Sequence, residues 1–427
     1  MRLTGTGRQS RASLVLALLL LAYVFNYLDR QILGILAGSI IADLHLTDTQ
    51  FGILSGPPFA ILYSLLGVPF AYLADRTSRA RVIAAALAFW SAFTALCGTA
   101  TSFWQLFVYR MGVGIGEAGG VAPSYALIAD YFPTERRARA LAIFSLGVPI
   151  GLALGTLIGA YIAAAINWRA AFLVMGAAGI ILAPVLFYLV RDPAKGHVHP
   201  AAAPIGQVFP MLLKKPVFWL LALAASSSSL CGYGLAVWTP SVLERSFGLG
   251  LVERGQFLAS VILLGGCTGV FAGGWLADRL GAMDRGWYAR LPAIAWLITA
   301  PTFAAGLLAP NLILAWPLLL VPNALNILWL GPVTTAVQHL VPQHMRATAS
   351  ASFLLINNLV GLGIGPLLIG RLSDSLKHSY GAEALRYAAV ACTSFYVLAA
   401  LLMLLCVSRL RTSWIDDIGQ LSTQVSE

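Results

Sequence analysis

Leu73-Ala74-Asp75-Arg76 returns 203 residues later as Leu276-Ala277-Asp278-Arg279. A second echo keeps step with it: Pro133-x-x-x-Arg137-Ala138 returns after 209 residues as Pro342-x-x-x-Arg346-Ala347. Both offsets are close to half of the 427 residues, so the chain reads as one unit written twice. Each first-type echo follows the second apolar run of its half, and each second-type echo precedes the fifth.

Those runs set the solvent. The chain is 59% hydrophobic and 10% charged, against roughly 25% charge in an average soluble domain. So few charges cannot make a polar shell, and the apolar surface must face lipid. Runs long enough to cross a hydrocarbon core of ~30 Å lie near 14–40, 51–73, 82–101, 104–128, 140–163, 170–190, 217–239, 256–277, 291–309, 312–336, 348–370 and 387–408. The expected fold is an all-α membrane protein of 12 transmembrane helices in two pseudo-symmetric six-helix bundles. The bundles are 1–190 and 217–408, joined by a Pro-rich linker, 191–216, and followed by a tail, 409–427. A parallel repeat of six plus six is the plan of a secondary transporter, with its site between the halves near the midplane.

Charge supplies the orientation. With the N-terminus inside, cytoplasmic segments hold 19 Lys and Arg and external ones hold 6, so both termini are expected in the cytoplasm. Arg2, Arg8 and Arg11 precede "SLVLALLLLAYVF", but the apolar character continues to about Ile41 without a cleavage site; this is expected to be a retained first span. The net charge of +10 is dispersed in short clusters with no aromatic-basic groove pattern, which excludes nucleic acid as partner. Cys97, Cys231, Cys267, Cys392 and Cys406 lack metal or redox spacing and read as small core residues. His197-Val-His199 alone is weak support for a metal. No nucleotide-binding motif or nucleophile-base constellation supports a pump or an enzyme. The expectation is a monomer without cofactor, in contact with membrane lipids.

Only four charges fall inside the runs: Asp29, Arg30, Arg110 and Glu117, all in the first half. Each costs about 3 kcal/mol at the bilayer centre on insertion scales, so each must be paired or neutralised. Asp29 and Glu117 fall at nearly the same depth. Asp29 and Arg30 are about 100° apart on a helix, which leaves Arg30 free to reach the fourth span. A carboxylate left without a cation there would take up a proton, so Asp29 and Glu117 are candidate proton carriers with Arg30 and Arg110 as their charge partners; the alternative is a static cluster of two acids and two bases. The second half offers uncharged polar groups: Asn323, Asn326, Asn357, Asn358, Ser226 to Ser229, Tyr233 and Trp238. With Asn26 and Tyr27 these would line a cavity charged on one wall and amide-rich and aromatic on the other. That asymmetry suits an amphipathic substrate. Asp75, Arg76 and Arg79, with Asp278 and Arg279, read as a charged latch at the cytoplasmic mouth. Gly147, Gly151, Gly155 and Gly159 make a stripe that serves either gating or plain packing.

The loops "AYLADRTSRAR" and "GGWLADRLGAMDR" resemble the hallmark loop of the major facilitator superfamily, as Arg110-x-x-x-Gly114-x-Gly116 resembles its fourth-helix signature. Within it, "NYLDRQILGIL", "RMGVGIGEAGGVAPSYALIADYFP" and "ALAIFSLGVPIGLALGTLIG" resemble the Spinster-like branch, whose eukaryotic members are associated with export of sphingolipids and lysophospholipids. The resemblance implies a proton-linked transporter of a lysolipid-like or other amphipathic molecule; the compact chain with its short loops points to a bacterial inner membrane. The organic-anion and sugar-acid symporters are similar in the helix-1 Asn-Tyr-x-Asp-Arg and imply small anions instead. A non-transporting scramblase or sensor is a third class.

Overall fold

The computed structural model describes residues 5–193, 205–281 and 283–415. His197 and His199 lie outside the described residues, as does the tail beyond 415. Spans 1 to 6 are Gly5–Ile35 with Ala37–Asp43, Asp48–Ser55 with Pro57–Arg76, Arg79–Cys97, Phe103–Glu117 with Val121–Tyr131, Thr134–Ser145 with Gly147–Ala165, and Trp168–Leu189. Spans 7 to 12 are Pro216–Phe247, Leu251–Gly281, Trp287–Leu307, Leu312–Asn326 with Leu330–Gln338, Arg346–Tyr380, and Ala384–Cys392 with Ser394–Ser413.

Ten helical stretches are long and apolar enough to cross a membrane. The last of them, Thr348–Ser413, contains both spans 11 and 12, separated by a turn at Gly381–Glu383. Span 4, in pieces of 15 and 11 residues, is not among the ten; span 10 is broken in the same way and is, so what sets span 4 apart is the polarity that Arg110, Glu117 and Asp130 give it. Twelve spans result. The linker, expected to be a plain connection, carries a short helix, Ile205–Leu213. Val208 and Leu212, one turn apart, are its buried face, and it packs on span 11.

The 209-residue repeat is visible in the backbone. Ser102 caps span 4 by accepting from the Gln105 amide, and Asn311 caps span 10 by accepting from Leu314. Both side chains satisfy an otherwise orphan N–H. Span 4 breaks at 118–120 and span 10 at 327–329. The cause is shared: Pro123 and Pro332 have no N–H for the carbonyls four residues earlier, those of Gly119 and Leu328. Glu117 and Asn326 are the last residues before the two breaks.

Span 5 packs on span 1 within the first bundle through the glycine stripe. A Cβ at Gly151 would meet Val24 O at 2.5 Å, and one at Gly155 would meet Leu28 O at 2.6 Å. The stripe therefore brings two backbones together inside one half and fixes the helix that carries Asp29.

The halves meet through spans 2 and 11, spans 5 and 8, and spans 1 and 7. Among the described residues, the hydrogen bonds that join the halves all lie at the face opposite the chain termini, here the distal face. Asp48 Oδ1 and Oδ2 each accept from Arg245 at 2.7 Å, and Oδ2 also accepts from Ser373 Oγ at 2.7 Å. Thr49 donates from its backbone N–H and its hydroxyl to Asp374 at 2.7 and 2.6 Å. The span 5 and span 8 seam has one neutral tie, from Gln256 Nε2 to Tyr161 Oη at 2.7 Å. Toward the face carrying the termini, Val121–Tyr131, Thr134–Ser145 and Leu330–Gln338 pack on helices of their own halves. The molecule is closed distally and parted at its terminal face.

Candidate functional site

Asp29 is 2% exposed; its Oδ2 accepts from Thr94 Oγ1 of span 3 at 3.1 Å, and its Oδ1 has no partner. Arg30 points elsewhere. Its Nε donates to Glu117 Oε2 of span 4 at 2.7 Å, with Glu117 fully buried. The need for a cation at Glu117 is local. This residue ends a helical segment, where the last carbonyls already place partial negative charge, so an ionised side chain there requires compensation.

The Arg30 guanidinium is wrapped by aromatic faces: Tyr63 at 4.5 Å, Phe59 at 4.9 Å and Tyr27 at 5.0 Å from ring centroids. Phe59 and Tyr63 come from one turn of span 2 just beyond its break at Gly56, and stack at 5.3 Å. Such contacts stabilise a desolvated cation by about 2 kcal/mol. Arg110, 3% exposed, lies 5.1 Å from the Phe59 ring and makes no ion pair among the described residues. Phe59 thus contacts both central cations, Arg30 and Arg110. Asn26 is buried beside them with its amide unpartnered. Two acids and two bases balance in number, yet they form a single direct pair.

In the second half, Asn326, the counterpart of Glu117, accepts from Tyr396 Oη of span 12 at 3.1 Å. Asn357 accepts from Ser229 Oγ of span 7 at 2.9 Å, and Asn323 donates to Leu319 O of its own helix at 2.8 Å. Asn358 is half-buried. Ser226 and Ser228 are buried without partners. Trp238, expected on the cavity wall, is instead fully enclosed in the distal seam. Its Nε1 donates to Pro366 O at 2.8 Å and its ring meets Phe51 edge-on at 5.3 Å. An indole N–H buried between helices needs such an acceptor.

The loop charges are engaged within their own halves. Arg79 is buried, bound to Asp75 at 2.9 Å and to Asp130, and its backbone N–H donates to Asp192 at 2.7 Å. Arg76 lies over the Tyr72 ring at 4.0 Å and Arg279 over Trp275 at 5.3 Å. The Asp278 side chain lies outside the described residues. In the second half Asp284 instead gathers the charges, accepting from Arg411 and from the Gly286 amide and pairing with Arg290. The Arg411 guanidinium holds the half-buried Asp284 carboxyl down to about 2.

Several of these residues were not apparent in the sequence. Thr94 is one of several hydroxyls in its apolar run, with Ser91 three residues before it, and nothing local singles it out. Phe59 and Tyr63, one turn apart, are the detectable signal of a stacked pair. Thr47-Asp48-Thr49-Gln50 spells a capping box, and the box is formed, but nothing local marks Asp48 as the partner of Arg245.

A two-bundle helical fold with charges enclosed in its first repeat, closed at one face and parted at the other, defines a secondary transporter. The Major Facilitator Superfamily model matches residues 19–366. The chain belongs to that superfamily and is Spinster-like. It is 34% identical to an MFS-type efflux pump of Mycolicibacterium smegmatis, over 88% of this chain and 87% of that one. It is 27% identical to mouse protein spinster homolog 1, over 89% and 76%. A bacterial homolog to the human lysosomal transporter Spinster, crystallised inward-facing and unoccupied, superposes with a TM-score of 0.85 at 29% identity over 95% and 99% of the two chains.

Proposed function

We propose that this protein is a proton-coupled transporter working by alternating access, which moves a lysolipid- or sphingolipid-like molecule across a bacterial inner membrane with both termini in the cytoplasm. The carrying observation is that Arg30 is committed to Glu117, which leaves the buried Asp29 with only the Thr94 hydroxyl. A carboxylate so placed is accommodated by a proton. Protonation of Glu117 would in turn release Arg30 for an anionic headgroup, while the apolar tail lies against the uncharged second-half wall. With the terminal face cytoplasmic, this is the inward-open state. The reading is also supported by the Spinster-like relatives.

Flux into proteoliposomes with and without a pH gradient tests the coupling. Asp29→Asn and Glu117→Gln are each expected to abolish gradient-driven flux of a lysophospholipid while the protein stays folded. Unchanged gradient dependence in both variants refutes the proposal. A second reading, symport of small organic anions or sugar acids, draws on the unpartnered Nη2 of Arg30, which could complete a carboxylate clamp. Thermal stabilisation by dicarboxylates or uronates and not by lysolipids would favour it.

A further inference from the structure

Spans 2 and 3 each pack on span 4 and barely on one another. Between them runs a groove of about 420 Å³ toward the terminal face. Phe70 and Leu73 form one wall, Ala85 and Phe89 the other, and Ile115 and Gly116 the floor. Thr77 and Arg81 stand at its mouth.

The groove is separate from the central site. Gly116 and Glu117 are successive residues of one helix, about 100° apart, so the floor turns away from the Arg30 pair. Phe70 closes the groove against the break in span 4, where a Cβ at Gly119 would meet its ring at 3.4 Å.

We propose that this groove binds one acyl chain of an anionic phospholipid from the adjacent leaflet, with the headgroup on Arg81. Length supports that occupant. From Arg81 to Phe89 the groove extends about 12 Å along span 3, close to the ~15 Å half-thickness of a bilayer core. Charge selects the headgroup. Arg79 takes up Asp75 and Asp130, whereas Arg81 is exposed and makes no ion pair among the described residues; its guanidinium only borders the Phe187 ring at 6.0 Å. That leaves an uncompensated cation where phosphates lie.

Native mass spectrometry of the detergent-solubilised protein with equimolar phosphatidylglycerol and phosphatidylcholine tests this. Wild-type protein is expected to retain phosphatidylglycerol preferentially. Arg81→Gln should cut that preference about fivefold, the effect of one basic residue at an anionic surface. Ala85→Trp, which fills the groove, should remove the retained lipid, and Ala85→Phe should do so in part. Wild-type retention in a folded Ala85→Trp protein, or an unchanged preference in Arg81→Gln, overturns the proposal.

Discussion

Arg30 bypasses the acid next to it in sequence and donates from Nε to Glu117 Oε2, 2.7 Å away and 87 positions on. Glu117 is fully enclosed and Arg30 nearly so. Breaking a buried pair by removing one partner costs about 3–5 kcal/mol, because the other charge is stranded. Arg30→Met and Glu117→Gln are each expected to lower thermal stability by that order. The double variant should lose clearly less than the sum. Additive losses in a double-mutant cycle would mean the two side chains are energetically independent.

The distal seam predicts a conformational effect. Asp48, 1% exposed, accepts twice from Arg245 and once from Ser373. Arg245→Gln strands that carboxylate between the halves and should weaken the distal closure. Spin labels on His45→Cys and His378→Cys, with native cysteines replaced, should show a longer-distance population that is minor in the parent. An unchanged distance distribution would rule out the seam as the distal lock.

Two glycines on one stripe should differ. At Gly155 a Cβ meets backbone at 2.6 Å, but at Gly159 it meets the Ile32 side chain at 3.1 Å. Backbone cannot yield without moving spans 1 and 5 apart, whereas an Ile can change rotamer. Gly155→Ala is expected to cost about 1–3 kcal/mol, the usual range for overpacking, and Gly159→Ala distinctly less. Thermal unfolding in detergent compares them directly.

Asp284 sets a pH window outside the membrane. The Arg411 guanidinium and the Gly286 amide hold its carboxyl at about 2, below the ordinary ~3.9. Its stabilising effect is therefore complete above about pH 4 and fades as pH falls toward 2. The stability difference between wild type and Asp284→Asn should be flat from pH 8 to 5 and shrink below pH 4. A change between pH 5 and 8 would contradict the assignment.

Span number and the tandem halves were legible because hydrophobic length and the Asp-Arg loops are local signals. The break in span 4 was nearly so, since Gly119-Gly120 precedes Pro123. Its partner at 327–329 contains Ile, Leu and Trp, and only the Pro332 carbonyl rule exposes it. The four central charges were also legible, because a charge in an apolar run stands out. Their partners were less so: Thr94, Phe59 and Tyr63 are ordinary residues whose role depends on which helices adjoin. Trp238 misled because an aromatic facing a cavity and one sealed in a seam have the same sequence signature.

The two proline breaks separate motion from chemistry. Beyond them lie terminal-face segments of only 11 and 9 residues, each joined to the rest of its span through a carbonyl that no helical N–H claims. Such segments can swing as short levers while Glu117 and Asn326, on the near side of each break, keep their partners. The entrance can thus be reshaped without first dismantling the charge cluster it admits to.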